Sequence, residues 1–308
     1  MTSLGGLELF RHGKVRDTWI VGDDLLMVAS DRISAFDVVL PSVVPGKGIV
    51  LTQLSRFWFD RLGHVVPSHL ISADLASVAD LLPDGIAGDP NLAGRSMLVR
   101  RAERIDVECV VRGYLYGSVW SEYQTSGTVA GVRLPAGMSF GERLPEPIFS
   151  PALKVDDGHD VNVAKAGIAD RFGQELADDL ERVSFAMYSE AAALVTGRGL
   201  ILADTKFEFG MIDGRLSLID EVLTPDSSRY WDAALSAPGR EQVGFDKQFV
   251  RDWLLGFGWD RNPPGPELPA DVISGTRDRY VEAYRRITGS EINLPSYALA
   301  SNEKGSCA

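Results

Sequence analysis

The chain is poor in cysteine, in histidine and in positive charge. Cys109 and Cys307 are the only two cysteines in 308 residues. Cys307 lies in a polar tail, so a disulfide scaffold is excluded and a reduced, cytoplasmic setting is expected. No apolar run approaches the roughly 18 residues that a membrane helix needs. The start, MTSLGGLELFRHGK, lacks the basic stretch and long apolar core of a secretory signal. The net charge of −12 speaks against a nucleic-acid binder, which presents a basic face. Small anionic ligands remain possible, provided that Lys and Arg gather locally against the acidic background.

What is present is ordinary globular material, 45% hydrophobic and 24% charged. The length accommodates two domains. Residues 7–31 read as three short strands, with Gly13 and Gly22 at the turns. Helical spacing appears in 51–62, with Thr52 as its cap. Residues 96–115 read as two strands around a polar turn. A β-rich unit 1–115 followed by a larger mixed unit 116–308 is the expected division. The Gly- and Pro-rich stretch 125–158 reads as a long loop or small excursion. Residues 174–199 form a strong helix with a stripe of Leu176, Leu180, Val183, Met187, Ala191 and Leu194, which is core packing. The apolar runs on either side of Asp213-Gly214 read as a hairpin. Two further helices are expected at 246–257, capped by Asp246, and at 269–289.

The hairpin is chemically overloaded. In LADTKFEFG (202–210), Asp204, Lys206 and Glu208 sit two apart and share one strand face. The returning strand ends in IDE (219–221) and runs into TPDSSR. Carboxylates on two neighbouring strands suit a hard divalent cation such as Mg²⁺, with phosphate oxygens and water completing its shell. A two-residue turn at Asp213-Gly214 sets Lys206 against Glu221 and Phe207 against Asp220, whereas a bulge reverses this. Spacing alone therefore leaves Asp220 and Glu221 both open.

Other constellations are weaker. RHGKVRD (11–17) places Gly13 before Lys14 and Arg16 on one strand face, in the manner of a phosphate lid. Neither it nor PGKGIVLT (45–52) has Walker spacing, and a plain turn is the better reading of each. In VECVVRGYLYGS, Glu108, Val110 and Arg112 share a strand face, and Ser118 opens a helix whose amides could meet an anion. SPALKVDDGHD gathers Lys154, His159 and Asp160. SDRISAFD (30–37) offers Asp31 and Asp37 as acceptors or as turn caps.

Taken together, GKVRD, SDRISAFDVVLPSVVPGKGIVLTQLS, VECVVRGYLYGS, SPALK, LADTKFEFG and IDEVLTPDSSRYW, in this order, closely resemble the SAICAR (phosphoribosylaminoimidazole-succinocarboxamide) synthetase family. One departure is Leu153, where Thr or Ser is expected before the lysine. The resemblance implies a two-lobed α+β fold related to ATP-grasp and kinase-like architecture, with ATP between a β-rich N-terminal lobe and a larger mixed lobe. It implies ATP-dependent ligation of L-aspartate to carboxyaminoimidazole ribotide (CAIR), with Mg²⁺.

By resemblance, Gly13, Lys14, Arg16, Glu108 and Lys206 would attend the nucleotide, and Glu208 and Asp220 would hold the metal. Asp37, Arg112, Ser118, His159, Asp160, Asp226, Ser227, Ser228 and Arg229 would line the other substrates. Lys206, Lys154 and Asp204 are the catalytic candidates. The partners are small molecules, with no nucleic acid and no membrane, and the oligomeric state stays open. Two competing classes are a small-molecule kinase, which lacks any H-R-D-x-x-x-x-N or D-F-G run here, and a non-catalytic nucleotide-binding module.

Overall fold

The structure is a computed structural model that describes residues 4–154 and 161–296. In chain order, β1 (Leu9–His12), β2 (Arg16–Val21) and β3 (Asp24–Ala29) form a meander. β4 (Arg32–Ala35) and β5 (Val38–Val43) form a separate hairpin before α1 (Lys47–Leu62), β6 (Leu70–Ser72) and β7 (Ser96–Arg100). Then come β8 (Glu103–Tyr114), α2 (Ser118–Ser126), β9 (Thr128–Val129), β10 (Val132–Arg133), β11 (Arg143–Phe149), β12 (Ala152–Leu153) and β13 (Val161–Asn162). The chain continues through α3 (Lys165–Phe172), α4 (Gln174–Thr196), β14 (Leu200–Ile212), β15 (Arg215–Ile219), β16 (Ser228–Asp232), α5 (Gln248–Phe257) and α6 (Ala270–Thr288). Among the described residues no helix is long and apolar enough to cross a membrane.

Two compact units result. One holds the chain up to Phe59, His69–Arg101 and the described residues from Phe245 on; the other holds Asp60–Ser68 and Ala102–Gly244. This differs from a single cut near residue 115. The strands on either side of Arg101-Ala102, read from sequence as a pair, belong to different sheets.

In the first unit, an antiparallel sheet runs in the order β1-β2-β3-β7-β6. Its inward residues Trp19, Val21, Leu26, Val28 and Leu98 pack on Leu75, Leu82, Ile86 and Leu92. The β4–β5 hairpin buries Ile33, Ala35, Leu40 and Val44 against Val250, Leu254, Leu268 and Val272. Each buried aliphatic side chain stabilises by about 1.5–3 kcal/mol, which explains why the C-terminal helices group with the N-terminal strands. Helix α1 starts at Lys47 rather than at 51. Its capping acceptor is distant in sequence: Asp31 takes the amides of Gly46 (3.2 Å) and Gly48 (2.9 Å), and Arg95 donates to it at 3.0 Å. Thr52 is buried inside the helix and is not the cap. A Cβ at Gly48 would fall 2.3 Å from the Ala29 carbonyl oxygen, so only glycine fits. Asp246 does accept the Gln248 amide (2.6 Å) at the start of α5.

In the second unit, a seven-stranded antiparallel sheet runs β13-β12-β8-β14-β15, with β11 added to β8 and β16 to β14. Part of the expected 125–158 loop is thus strand. Pro145 and Pro147 lack ladder donors, and the β11 register shifts between Arg143 and Ile148. Helix α4 packs on β8 and β14. Leu180, Val183, Met187 and Ala191 form its buried stripe together with Tyr188 and Val195, while Leu176 and Leu194 are only half-buried. Cys109, Phe207 and Phe209 are fully buried, and burial pushes the Cys109 thiol far up, out of the reactive range.

The β14–β15 hairpin closes on Asp213 (φ 50°) and Gly214 (φ 72°), the left-handed pair of a type I′ turn. The ladder then runs from Ile212 opposite Arg215 to Glu208 opposite Ile219. Gly210 sits where β8 comes closest: a Cβ there would lie 2.9 Å from both the Glu103 carbonyl oxygen and the Ala102 Cβ. Gly210→Ala is expected to destabilise the protein by about 1–3 kcal/mol through forced strand separation. Denaturant melts check this, and an unchanged midpoint would mean that the strands part freely.

Candidate active site

On β14 of the second unit, Asp204 stands opposite Arg112 of β8 on one side and Arg229 of β16 on the other. Residues directly opposed across antiparallel strands share a face and touch. Both guanidiniums reach the same carboxylate oxygen: Arg112 Nη1 lies 3.3 Å from Asp204 Oδ2, and Arg229 Nη1 donates to it as well. Arg112 Nε also donates to the Ser150 hydroxyl at 2.7 Å. The Arg229 guanidinium lies 5.5 Å from the centre of the Tyr116 ring and against Gly117, whose φ is 68°. Two arginines against one carboxylate leave one positive charge in excess. Burial disfavours the Arg112 charge and Asp204 offsets that. Helix α2 opens beside them at Gly117 without a side-chain cap, and Ser118 is its first, exposed residue.

Two residues along β14, the charges alternate. Glu208 lies opposite Glu108, an unfavourable pairing of like charges. Lys206 Nζ resolves it by donating to Glu108 (2.8 Å) and to Glu208 (2.6 Å). Lys154 Nζ lies 2.8 Å from Glu208 and 3.8 Å from Glu108. Burial works against the Lys206 ammonium, but Glu208, Glu108 and Asp220 outweigh it and hold the group protonated far beyond its usual range. Burial likewise opposes ionised Glu208, and Lys206 and Lys154 reverse this, holding its carboxyl well below the usual range. Glu108 moves the other way: burial wins over Lys206, and the Glu208 charge adds to the rise. Glu208 is thus the fixed anion of the pair, and Glu108 is the acid that takes up a proton first.

The Asp220–Glu221 question has a conformational answer. The ladder stops at Ile219, and Asp220 turns left-handed (φ 65°), so strand alternation no longer assigns its face. Its charge acts on Lys206. Glu221 is buried and accepts the Thr224 hydroxyl at 2.6 Å. Among the described residues no three His, Cys, Asp or Glu side chains converge as a metal cage. A Mg²⁺ bound mainly through phosphates needs only one or two protein carboxylates. Glu208 and Asp220, hard oxygen donors around one lysine, suit that requirement.

The serines of TPDSSR are engaged internally. Ser227 bonds within the 224–227 turn, and the buried Ser228 hydroxyl lies 2.7 Å from that of Thr205. Asp226 is half-buried beside them. His159 and Asp160 lie outside the described residues.

In the first unit, Lys14 lies in the bend between β1 and β2, not on a strand face; Arg16 opens β2. Gly13 donates to the Arg16 carbonyl at 2.8 Å, and a Cβ at 13 would lie 2.5 Å from that oxygen. Lys14 Nζ lies 2.5 Å from Asp37 Oδ1, with both side chains more than half exposed. Such a pair is weak and yields readily to a better anion. Phe36 (φ 51°) and Asp37 (φ 64°) form the left-handed β4–β5 turn, uncommon for a bulky residue. The Phe36 ring lies 6.5 Å from that of Trp259, with the Arg261 guanidinium 4.5 Å from its centre.

The sequence reading did not single out Ser150, Tyr116 or Arg32, although all three lie inside or beside the quoted motifs. Each meets its partner only through the fold: Ser150 meets Arg112, Tyr116 meets Arg229, and, in the first unit, Arg32 meets Asp17.

The SAICAR synthetase family profile matches residues 9–265. The phosphoribosylaminoimidazole-succinocarboxamide synthase of Polaromonas naphthalenivorans is 52% identical over 93% of this chain and 96% of its own length. That of Desulforapulum autotrophicum is 48% identical over 94% of this chain and 98% of its own. Among solved structures, the SAICAR synthase of Saccharomyces cerevisiae complexed with SAICAR superposes with a TM-score of 0.86 at 41% identity, covering 95% of this chain and 98% of that one. A SAICAR synthetase in complex with ADP gives 0.67 at 26%, covering 93% and 100%. On sequence and on fold alike, the chain belongs to the SAICAR synthetase family.

Proposed function

We propose that this protein joins L-aspartate to CAIR with ATP, giving SAICAR, ADP and phosphate in purine biosynthesis. A carboxylate resists a nucleophile because its charge repels and oxide does not leave. Transfer of the γ-phosphoryl group breaks the bond to the bridging oxygen of ADP and forms a carboxylate O–P bond. The aspartate amine then attacks the acyl carbon, losing a proton as the C–N bond forms and phosphate departs. Phosphoryl transfer depends chiefly on positioning and charge neutralisation.

The observation that carries this reading is the face of β14. It sets a double-arginine anion clamp at Asp204 four residues from the doubly lysine-bound carboxylate of Glu208. Arg112 and Arg229, with Ser118, the start of α2 and the 226–228 segment, would hold the ribotide's anionic groups. Lys206 and Lys154 would neutralise charge on the transferring phosphoryl group. Gly13, Lys14 and Arg16 would attend the nucleotide phosphates and Glu108 the nucleotide, while Asp37 is assigned to the other substrates by resemblance. Glu208 and Asp220 would hold Mg²⁺, which when bound supplies charge neutralisation at the phosphates. His159 and Asp160 are assigned to the CAIR or aspartate side by resemblance alone. The relatives solved with ADP and with SAICAR support the substrates, and a cytoplasmic setting fits both the pathway and the free thiol of Cys109.

The test is phosphate release with each substrate withheld in turn. Release is expected only with ATP, CAIR and aspartate all present. A stable phosphorylated acceptor formed without aspartate would favour the kinase reading instead.

A further inference from the structure

Arg32, at the start of β4, makes none of the contacts expected of a substrate ligand. Its guanidinium is spent on the glycine turn. Nε donates to the Lys14 carbonyl at 3.0 Å, and Nη2 to the Gly13 carbonyl at 2.9 Å. Nη1 and Nη2 also take the two oxygens of Asp17 at 3.0 and 2.7 Å. Asp17 is buried, with His12 Nδ1 also 2.7 Å from it. The fork therefore ties two successive carbonyls of an exposed bend to a buried carboxylate on β2.

We infer that Arg32 is a positioning residue that presets the 13–15 turn to receive the phosphates of a nucleotide. The argument runs through peptide geometry. A trans peptide points its N–H opposite its C=O. With the carbonyls of Gly13 and Lys14 drawn to Arg32, the N–H groups of Lys14 and Val15 are turned away from it, side by side. No hydrogen bond among the described residues uses either donor. Successive amides aimed the same way form an anion-binding nest, and the Lys14 ammonium lies on the same bend. A planar fork can hold two carbonyls and a carboxylate together, which an ammonium on a flexible stem cannot. The rest of SDRISAFD serves the same region, since Asp31 caps α1 and Asp37 holds the Lys14 side chain.

The role rests on the proposed function, so the test reads the turn and the nucleotide separately. Arg32→Lys keeps the charge beside Asp17 and loses the fork. Hydrogen exchange of the Gly13 amide, which donates to the Arg16 carbonyl across the turn, is expected to quicken about tenfold in the nucleotide-free protein, and the KM for ATP and the Kd for ADP to rise about tenfold. The KM values for CAIR and aspartate should stay within about twofold. Unchanged exchange overturns the positioning role whatever the nucleotide does. Faster exchange with unchanged ADP affinity overturns the assignment of the turn to the nucleotide. An equal rise in all three KM values overturns both, because it marks a general loss of structure. If Arg32→Lys does not fold, the double variant Asp17→Asn/Arg32→Gln, which removes the buried charge together with its partner, is read by the same measurements.

Discussion

Glu208→Gln is expected to lower turnover by about 10²–10³-fold, the usual effect of removing one preorganised electrostatic group from a reacting centre. The substitution keeps the shape, removes one negative charge and replaces one of the two oxygens that accept from the lysines with an amide that can only donate. That charge is fixed in the folded protein by Lys206 and Lys154, and it is one of the two carboxylates proposed for Mg²⁺. Without it the two lysines are left with Glu108 and the charge of Asp220, so the cluster turns more positive and the metal loses a hard donor. The fold should survive, because Lys206 keeps its bond to Glu108. A Mg²⁺ titration of phosphate release reads the effect, and a wild-type titration curve would rule Glu208 out as a metal donor.

The same residue has a stability signature. Its carboxyl is held below the ordinary value of 4.5 in the folded state. The stabilisation is therefore fully present above that value and is lost as pH falls through the folded-state range. The glutamine variant lacks this share, so its stability should fall less steeply than the wild type's on acidification.

Much of this was legible in the sequence because its signals are local. A two-residue Asp-Gly turn fixes hairpin register, and register fixes which side chains share a face. The two-residue spacing of Asp204, Lys206 and Glu208 by itself puts them on one side of the strand. The alternation in 107–112 likewise separated Glu108 and Arg112 from the buried Val107, Cys109 and Val111. Local rules failed where the backbone left its repeat. Asp220 adopts a left-handed conformation at the end of a strand, a position at which period-2 reasoning has no content.

Long-range partners were invisible for a related reason. Thr52 looked like a cap because it precedes a helical pattern, but the amides at the helix start are taken by Asp31, far back in sequence. The sequence shows helices at α5 and α6 but not what they bury against. Only packing shows that they cover β4 and β5, and so why the C-terminal segment groups with the N-terminal strands.

Arg229→Ala should raise the KM for CAIR by about 10²-fold, since truncating one member of a hydrogen-bonded charge pair costs about 2–5 kcal/mol. The KM for ATP should move less than about twofold, because binding of that substrate does not draw on the removed group. The reasoning starts from the charge balance of the clamp. Arg112 and Arg229 share Asp204, and their excess positive charge is what attracts an anion. Deleting Arg229 leaves Arg112 and Asp204 as a neutral pair. Arg112 is the worse target for such a test: it is buried and tied to Ser150, so its removal would leave a void and an unpartnered hydroxyl inside the sheet. Arg229→Lys separates charge from shape. It keeps the positive charge but loses the planar fork and its stacking on Tyr116, so its KM for CAIR should fall between those of wild type and alanine. If the lysine variant matches alanine, the fork alone matters. If it matches wild type, the charge alone does. Equal rises in the KM for CAIR and for ATP would sink the assignment of Arg229 to the ribotide, because a lost ribotide contact has no route to the nucleotide's affinity.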